Sequence, residues 1–204
     1  MTLKPENLNG LILAGGFSKR MGQDKALLNY HGKPQVEFAY QLLKPFCREV
    51  LISIRPDQAQ QAHYTQFPQL NDLPQYSNMG PLGGIASALT LCPDRAWLVL
   101  ACDLPFVSTK TIAYLLANRD PQKMATAFIS AHDQLPEPLC AVWEPQGLSI
   151  IEQFLKEGIQ CPRKILLKSS HAHLLPLPDP VWLDNVNSPE EYQQAAQRVV
   201  DTKY

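Results

Sequence analysis

The run Trp97-Leu98-Val99-Leu100-Ala101-Cys102 is apolar at every position and ends on Asp103. A strand with no polar face must be covered on both sides, which is the condition of a central strand in a parallel sheet held between helices. The rest of the chain supplies its partners. Leu11-Ile12-Leu13-Ala14 is a second apolar run, ending at a glycine pair, and Val50-Leu51-Ile52-Ser53-Ile54 is a third, stopped near Arg55 by Pro56. Between them Val36, Ala39, Tyr40, Leu42, Leu43 and Phe46 recur at helical spacing behind Pro34. Pro81 opens a further helical stretch to Leu91, residues 109–116 follow Ser108 as a helix with its N-cap, and 148–155 read as helix. Residues 124–129 and 139–143 read as strands, while 163–168 fit either state. The prolines gather in three loop regions, 68–81, 136–145 and 176–189, where they stiffen connections. Strands alternating with helices predict a three-layer α/β/α sandwich with a mostly parallel sheet, and 204 residues suffice for one domain spanning 1–204.

Charge excludes several partners. Eighteen basic against 19 acidic residues leave a formal charge of -1, so no global field draws the chain to nucleic acid or to an anionic membrane. Any anion site has to be local. The five cysteines are an odd number without a C-x-x-C pair, which is neither a disulfide framework nor a zinc ribbon. His171 and His173 form an H-x-H with no third ligand beside it and read as a strand-end pair. No apolar stretch approaches the ~18 residues of a membrane span, and residues 1–7 lack a signal-peptide core, so the expected compartment is the cytoplasm.

Glycine is scarce, ten against 18 prolines, so its positions carry information. Gly15, Gly16 and Gly22 fall in one stretch; Gly80, Gly83 and Gly84 fall in another. A glycine pair directly after a strand lets backbone N–H groups approach a ligand, and Lys19, Arg20 and Lys25 follow it, a combination suited to a polyphosphate. Neither G-x-G-x-x-G nor G-x-x-x-x-G-K-[ST] is present, so this is not a dinucleotide fingerprint or a P-loop. Asp103 lies at the carboxyl end of the central strand, where open α/β sheets bind ligands, and is a candidate ligand for a magnesium ion beside phosphates. Asp72 precedes the loop into Gly80, so two carboxylates and two glycine loops are expected to share one crevice. Gly80, Gly83 and Gly84 sit where a helix begins; they suit either close approach of a base or phosphate, or tight packing of that helix on the sheet.

In order, Leu-Ala-Gly-Gly (13–16), Arg-Met-Gly (20–22), Asp-Lys (24–25), Gly-Pro-Leu-Gly-Gly (80–84), Cys-Asp-Leu-Pro-Phe (102–106) and Asn-Val-Asn-Ser-Pro-Glu (185–190) resemble the landmarks of the molybdenum cofactor guanylyltransferases. The likeness runs from about Leu11 to the C-terminus. It implies the nucleotide-diphospho-sugar transferase fold, GTP and Mg²⁺, and a molybdopterin phosphate as acceptor, with transient contact to cofactor-synthesis proteins. By position, Leu13, Ala14, Gly15 and Gly16 would hold the guanine and the nucleotide backbone. Lys25 and Arg20 would meet the phosphates, Asp72 the nucleoside, Gly80 and Gly83 the base, and Asp103 the Mg²⁺. Asn185 and Asn187 would face the acceptor. The chain departs from the family in two places: the loop after Gly22 is one residue shorter, and Arg55 stands where an asparagine contacts the nucleoside. A cytidylyl- or sugar-phosphate nucleotidyltransferase of the same fold, or a GTP-binding module without catalysis, are the alternatives.

Overall fold

The computed structural model describes residues 7–16 and 24–201. Lys19, Arg20 and Gly22 lie outside the described residues. The chain runs β1 (Leu8–Leu13), α1 (Gln35–Leu43), β2 (Val50–Ser53), β3 (Gln69–Leu70), α2 (Pro81–Leu91), β4 (Ala96–Ala101), α3 (Thr109–Ala117), β5 (Ala125–Ile129), β6 (Pro136–Trp143), α4 (Gly147–Lys156), α5 (Pro162–Lys168), β7 (Ala172–Pro176) and α6 (Pro189–Asp201), with short 3₁₀ turns between.

The strands form one sheet in the order β3-β2-β1-β4-β6-β5-β7. All run the same way except β6, which pairs antiparallel with both β4 and β5. The expected α/β sandwich with a mostly parallel sheet is therefore what forms. The period of two along β4 divides the core: Leu98 and Leu100 face a cluster with Val36, Leu43, Ile112 and Leu115, while Trp97 and Val99 face one with Leu82, Ile85, Ile151 and Ile165. Thus α1 and α3 cover one face, and α2, α4 and α5 cover the other. A third, smaller cluster joins α6, through Ala195 and Val199, to Leu28, Tyr30 and Val186.

This arrangement positions the site. From β1 the chain crosses by α1 to β2 on one side, and it later returns by α2, on the opposite face, to β4 on the other side of β1. The loops leaving β1 and β4 therefore separate at their carboxyl ends and leave a crevice, which is the topological switch point of an open sheet.

Several local features differ from the sequence reading. β1 begins at Leu8 rather than Leu11, and it takes in Asn9, fully buried, and Gly10, where a Cβ would meet Cys47, Val50 and Leu43 at 3.2–3.3 Å. The stretch 163–168 is helical, with Pro162 at its first position. Pro136 and Pro138 lie in β6, not in a loop. β4 pairs only with residues 140–143 of that strand, so its first half is paired on the β5 side alone, where a missing N–H is tolerated.

Candidate functional site

A cavity of about 850 Å³ opens at the carboxyl ends of β1, β2 and β4. Leu13, Ala14, Gly15 and Gly16 line one wall; Lys25, Arg55, Asp72, Gly80 and Asp103 also reach it. Both glycine stretches and both carboxylates named from the sequence thus meet in one crevice. Gly80 precedes α2 with φ +57°, a left-handed conformation that glycine adopts without strain, and it turns the first residues of that helix toward the cavity.

Gly83 and Gly84 behave differently. A Cβ on Gly83 would sit 2.6 Å from the Tyr76 carbonyl oxygen and closer still to the Asp72 carboxylate; one on Gly84 would sit 2.6 Å from Ser53 Oγ. Both are buried inside α2. Of the two readings open at these glycines, tight helix packing is the one the geometry matches. Gly83 does not line the cavity; it lets α2 approach closely enough to set Asp72 against the wall.

Lys25 is the centre of the polar side. Its Nζ donates to Asn187 Oδ1 at 2.7 Å and lies 3.5 Å from Asp103 Oδ2, so residues 162 positions apart in sequence converge on one ammonium. The C-terminal segment is fastened there a second time: Val186 N–H donates to the Asp103 carbonyl at 3.0 Å, and Asn187 N–H donates to Glu191 Oε2 at 2.6 Å. Asn187 is therefore brought to the site. Asn185 is exposed and makes no hydrogen bond with a described residue. Asp103 Oδ1 likewise takes no hydrogen bond from a described residue.

Arg55 braces the first glycine loop. Its Nη1 donates to the carbonyls of Gly15 and Gly16 at 3.0 and 3.1 Å, and its Nε and Nη2 form a fork onto Asp57 at 3.0 and 2.9 Å. Hydrogen bonding from that guanidinium holds the Asp57 carboxyl below the ordinary carboxylate range. Asp72, by contrast, is half-buried with no hydrogen bond to a described residue, and burial raises its pKa.

Asp24 lines the cavity as well, and two buried residues that sequence reasoning passed over, Gln58 and Tyr64, stand behind it. Asp24 accepts from Gln58 Nε2 at 2.8 Å and from Tyr64 Oη at 2.7 Å through one oxygen, and from Ala26 N–H at 3.0 Å through the other. Gln58 accepts from Arg55 N–H at 3.0 Å and also reaches the Ala14 carbonyl at 3.5 Å. Asp24 was visible as part of the Asp-Lys landmark. Gln58 and Tyr64 lie in a polar stretch without period, so no pattern marked them as buried.

The model of the MobA-like NTP transferase domain matches residues 10–174. The chain belongs to this family. Its curated relatives agree. A molybdenum cofactor biosynthesis bifunctional protein of Synechocystis is 38% identical over 92% of this chain, which spans about half (53%) of that longer relative. A molybdenum cofactor guanylyltransferase of Shewanella putrefaciens is 30% identical, covering 94% of this chain and 97% of its own. Among solved structures, molybdopterin-guanine dinucleotide biosynthesis protein A from Archaeoglobus fulgidus superposes with a TM-score of 0.75 at 20% identity, over 96% of this chain and all of that one, and shares the fold. In the MobA-like frame, residues 10–174 contain both glycine loops, Lys25, Arg55, Asp72 and Asp103. Asn187 lies beyond them and reaches the site through its bond to Lys25. Among the described residues no helix is long and apolar enough to cross a membrane.

Proposed function

We propose that this chain, acting as a single cytoplasmic nucleotidyltransferase domain, transfers GMP from GTP to the phosphate of molybdopterin. A phosphate oxygen of the acceptor forms a bond to the α-phosphorus of GTP, the bond from that phosphorus to the β-phosphate oxygen breaks, and pyrophosphate leaves. The observation that carries this reading is Lys25, held between Asp103 and Asn187 on the wall of a cavity that both glycine loops reach. The named relatives supply the base and the acceptor.

The attacking phosphate is already an anion, so the chemistry needs position and charge neutralisation more than a strong base. The first glycine loop offers backbone close to a nucleotide, with Arg55 holding its carbonyls in place. Lys25 stabilises charge developing on pyrophosphate, assisted by Arg20. Asp72, a carboxylate without a hydrogen-bond donor among the described residues, suits the ribose hydroxyls. Asn187 stands on the acceptor side, with Asn185 on the same segment. Asp103 fits a divalent cation: one carboxylate oxygen has no hydrogen bond from a described residue, and magnesium takes one or two carboxylates together with phosphate oxygens. When bound there, Mg²⁺ supplies charge neutralisation across the phosphates.

The test is pyrophosphate release with Mg²⁺ and each nucleoside triphosphate in turn, with and without molybdenum cofactor. Release with GTP alone, and only when the acceptor is present, is the expected result. Release with CTP or with a sugar phosphate would move the assignment to a sister nucleotidyltransferase. Tight GTP binding without release would make the chain a binding module.

A further inference from the structure

Lys25 has to be aimed by something, because it stands on a three-residue 3₁₀ turn (Lys25–Leu27) that has no rigidity of its own. That turn begins at Asp24, whose carboxylate is held at three points: by the Ala26 N–H at 3.0 Å, by Gln58 Nε2 at 2.8 Å and by Tyr64 Oη at 2.7 Å. Tyr64 and Gln58 are both buried, at 0% and 1% exposure, while Asp24 is partly exposed at the cavity wall, so the donor ends of these charge-assisted bonds are shielded from water. Gln58 also accepts from the Arg55 N–H at 3.0 Å, while the Arg55 side chain grips the Gly15 and Gly16 carbonyls. Burial and the Asp24 carboxylate both raise the Tyr64 pKa, so its hydroxyl remains a donor throughout the neutral range.

We infer that Gln58 and Tyr64 are positioning residues for the transfer step: through Asp24 both fix the turn that carries Lys25, and through Arg55 Gln58 ties that turn to the glycine loop. This rests on the assignment of Lys25 to the phosphates made above. One hydrogen-bonded unit would then set the cation and the nucleotide-binding backbone in a single geometry, although the two lie on different segments of the chain.

Tyr64→Phe keeps the ring and removes the hydroxyl; Gln58→Glu keeps the acceptor for Arg55 N–H and removes the donor to Asp24. Each is expected to lower the turnover of GMP transfer about tenfold, the scale of a lost hydrogen bond to a charged group, with the KM for GTP changing less than kcat. The deciding measurement is the same substitution made in a Lys25→Ala background, where a residue acting through Lys25 should cost nothing more. An equal loss in both backgrounds overturns the inference, since it would mean a general effect on folding or on the loop. A second readout is independent of activity: carbon-13 NMR of the protein with dimethylated lysines, with the Lys25 signal identified by its absence in Lys25→Ala. In the parent that signal should stand apart from those of exposed lysines, and Tyr64→Phe should move it toward them; an unmoved signal overturns the inference. If Lys25→Ala leaves transfer unchanged, the catalytic role of Lys25 fails, and the NMR signal still decides whether Tyr64 positions it.

Discussion

The two glycine stretches look alike in sequence and differ in what surrounds them. At Gly16 an added Cβ would find no atom of a described residue within 4 Å, and at Gly15 its nearest described neighbour would be the Arg55 main chain at 3.4 Å, an ordinary contact. At Gly83 and Gly84 the same added atom would lie within 2.6 Å of Tyr76 and Ser53. Among the described residues the first loop is therefore open where a ligand would lie, and the second pair is closed by the protein itself. Of the three glycines in the second stretch, Gly80 alone belongs to the cavity wall. A shared residue type thus separates into two kinds of constraint, one imposed by packing and one left for a nucleotide.

Gly83→Ala tests the closed side and should have the largest effect on stability. The clash is with a backbone carbonyl, which cannot swing aside as a flexible side-chain end could, so overpacking should cost about 2 to 3 kcal/mol. For a chain of this size that lowers the thermal midpoint by roughly 5 to 10 °C. A midpoint within a degree of the parent would mean that α2 tolerates a Cβ there, and the two stretches would no longer differ in the way described.

Gly16→Ala tests the open side. Its stability should stay within about 0.5 kcal/mol of the parent, as for surface substitutions away from packed features. Affinity for GTP should fall by roughly fivefold to tenfold, the scale of one hydrogen bond lost when a methyl enters the ligand's space. Titration with GTP and a melting curve on the same sample separate the two quantities. A variant that binds GTP like the parent would place the nucleotide elsewhere in the cavity.

The fold was legible where residues show a period or a cap. The wholly apolar β4, the helical spacing in α1 and Pro81 at the head of α2 each located their element to within a few residues. Ser108 likewise opens α3, with its N–H donating to Thr111 Oγ1 at 3.2 Å. What stayed hidden has physical causes. The polar Asn9 and the small Gly10 disguise the first half of β1, although both are enclosed by neighbours from distant segments. β3 is two residues long, too short to show alternation, and β7 carries His173 among apolar residues at the sheet edge. In the site, Asp103 was found because strand ends point into crevices, and Asp72 because it precedes the loop into Gly80. The link from Lys25 to Asn187 across the chain, the Arg55 grip on the glycine carbonyls and the Gln58–Tyr64 support of Asp24 are tertiary facts that no local pattern encodes.

Asp72 stands between the two kinds of constraint, packed against Gly83 and facing the cavity, and it gives the smallest and most diagnostic effect. Burial raises its pKa in the folded chain above the unfolded value, so the folded protein binds that proton more tightly than the unfolded one does. Ionisation at Asp72 therefore opposes folding: the penalty is absent below the unfolded pKa and complete once pH has risen past the folded one. Asp72→Asn removes the charge and should raise the melting midpoint slightly at pH 7, with the gap narrowing as pH falls toward the ordinary carboxylate range near 4. A gap independent of pH would show that the carboxylate carries no such penalty. The same variant should weaken GTP binding, because an amide replaces one of two carboxylate oxygens available to ribose hydroxyls with a donor. A residue whose replacement strengthens the fold and weakens the ligand is kept for the ligand, and that pairing would set Asp72 with Gly16 on the open side of the comparison rather than with Gly83 on the closed one.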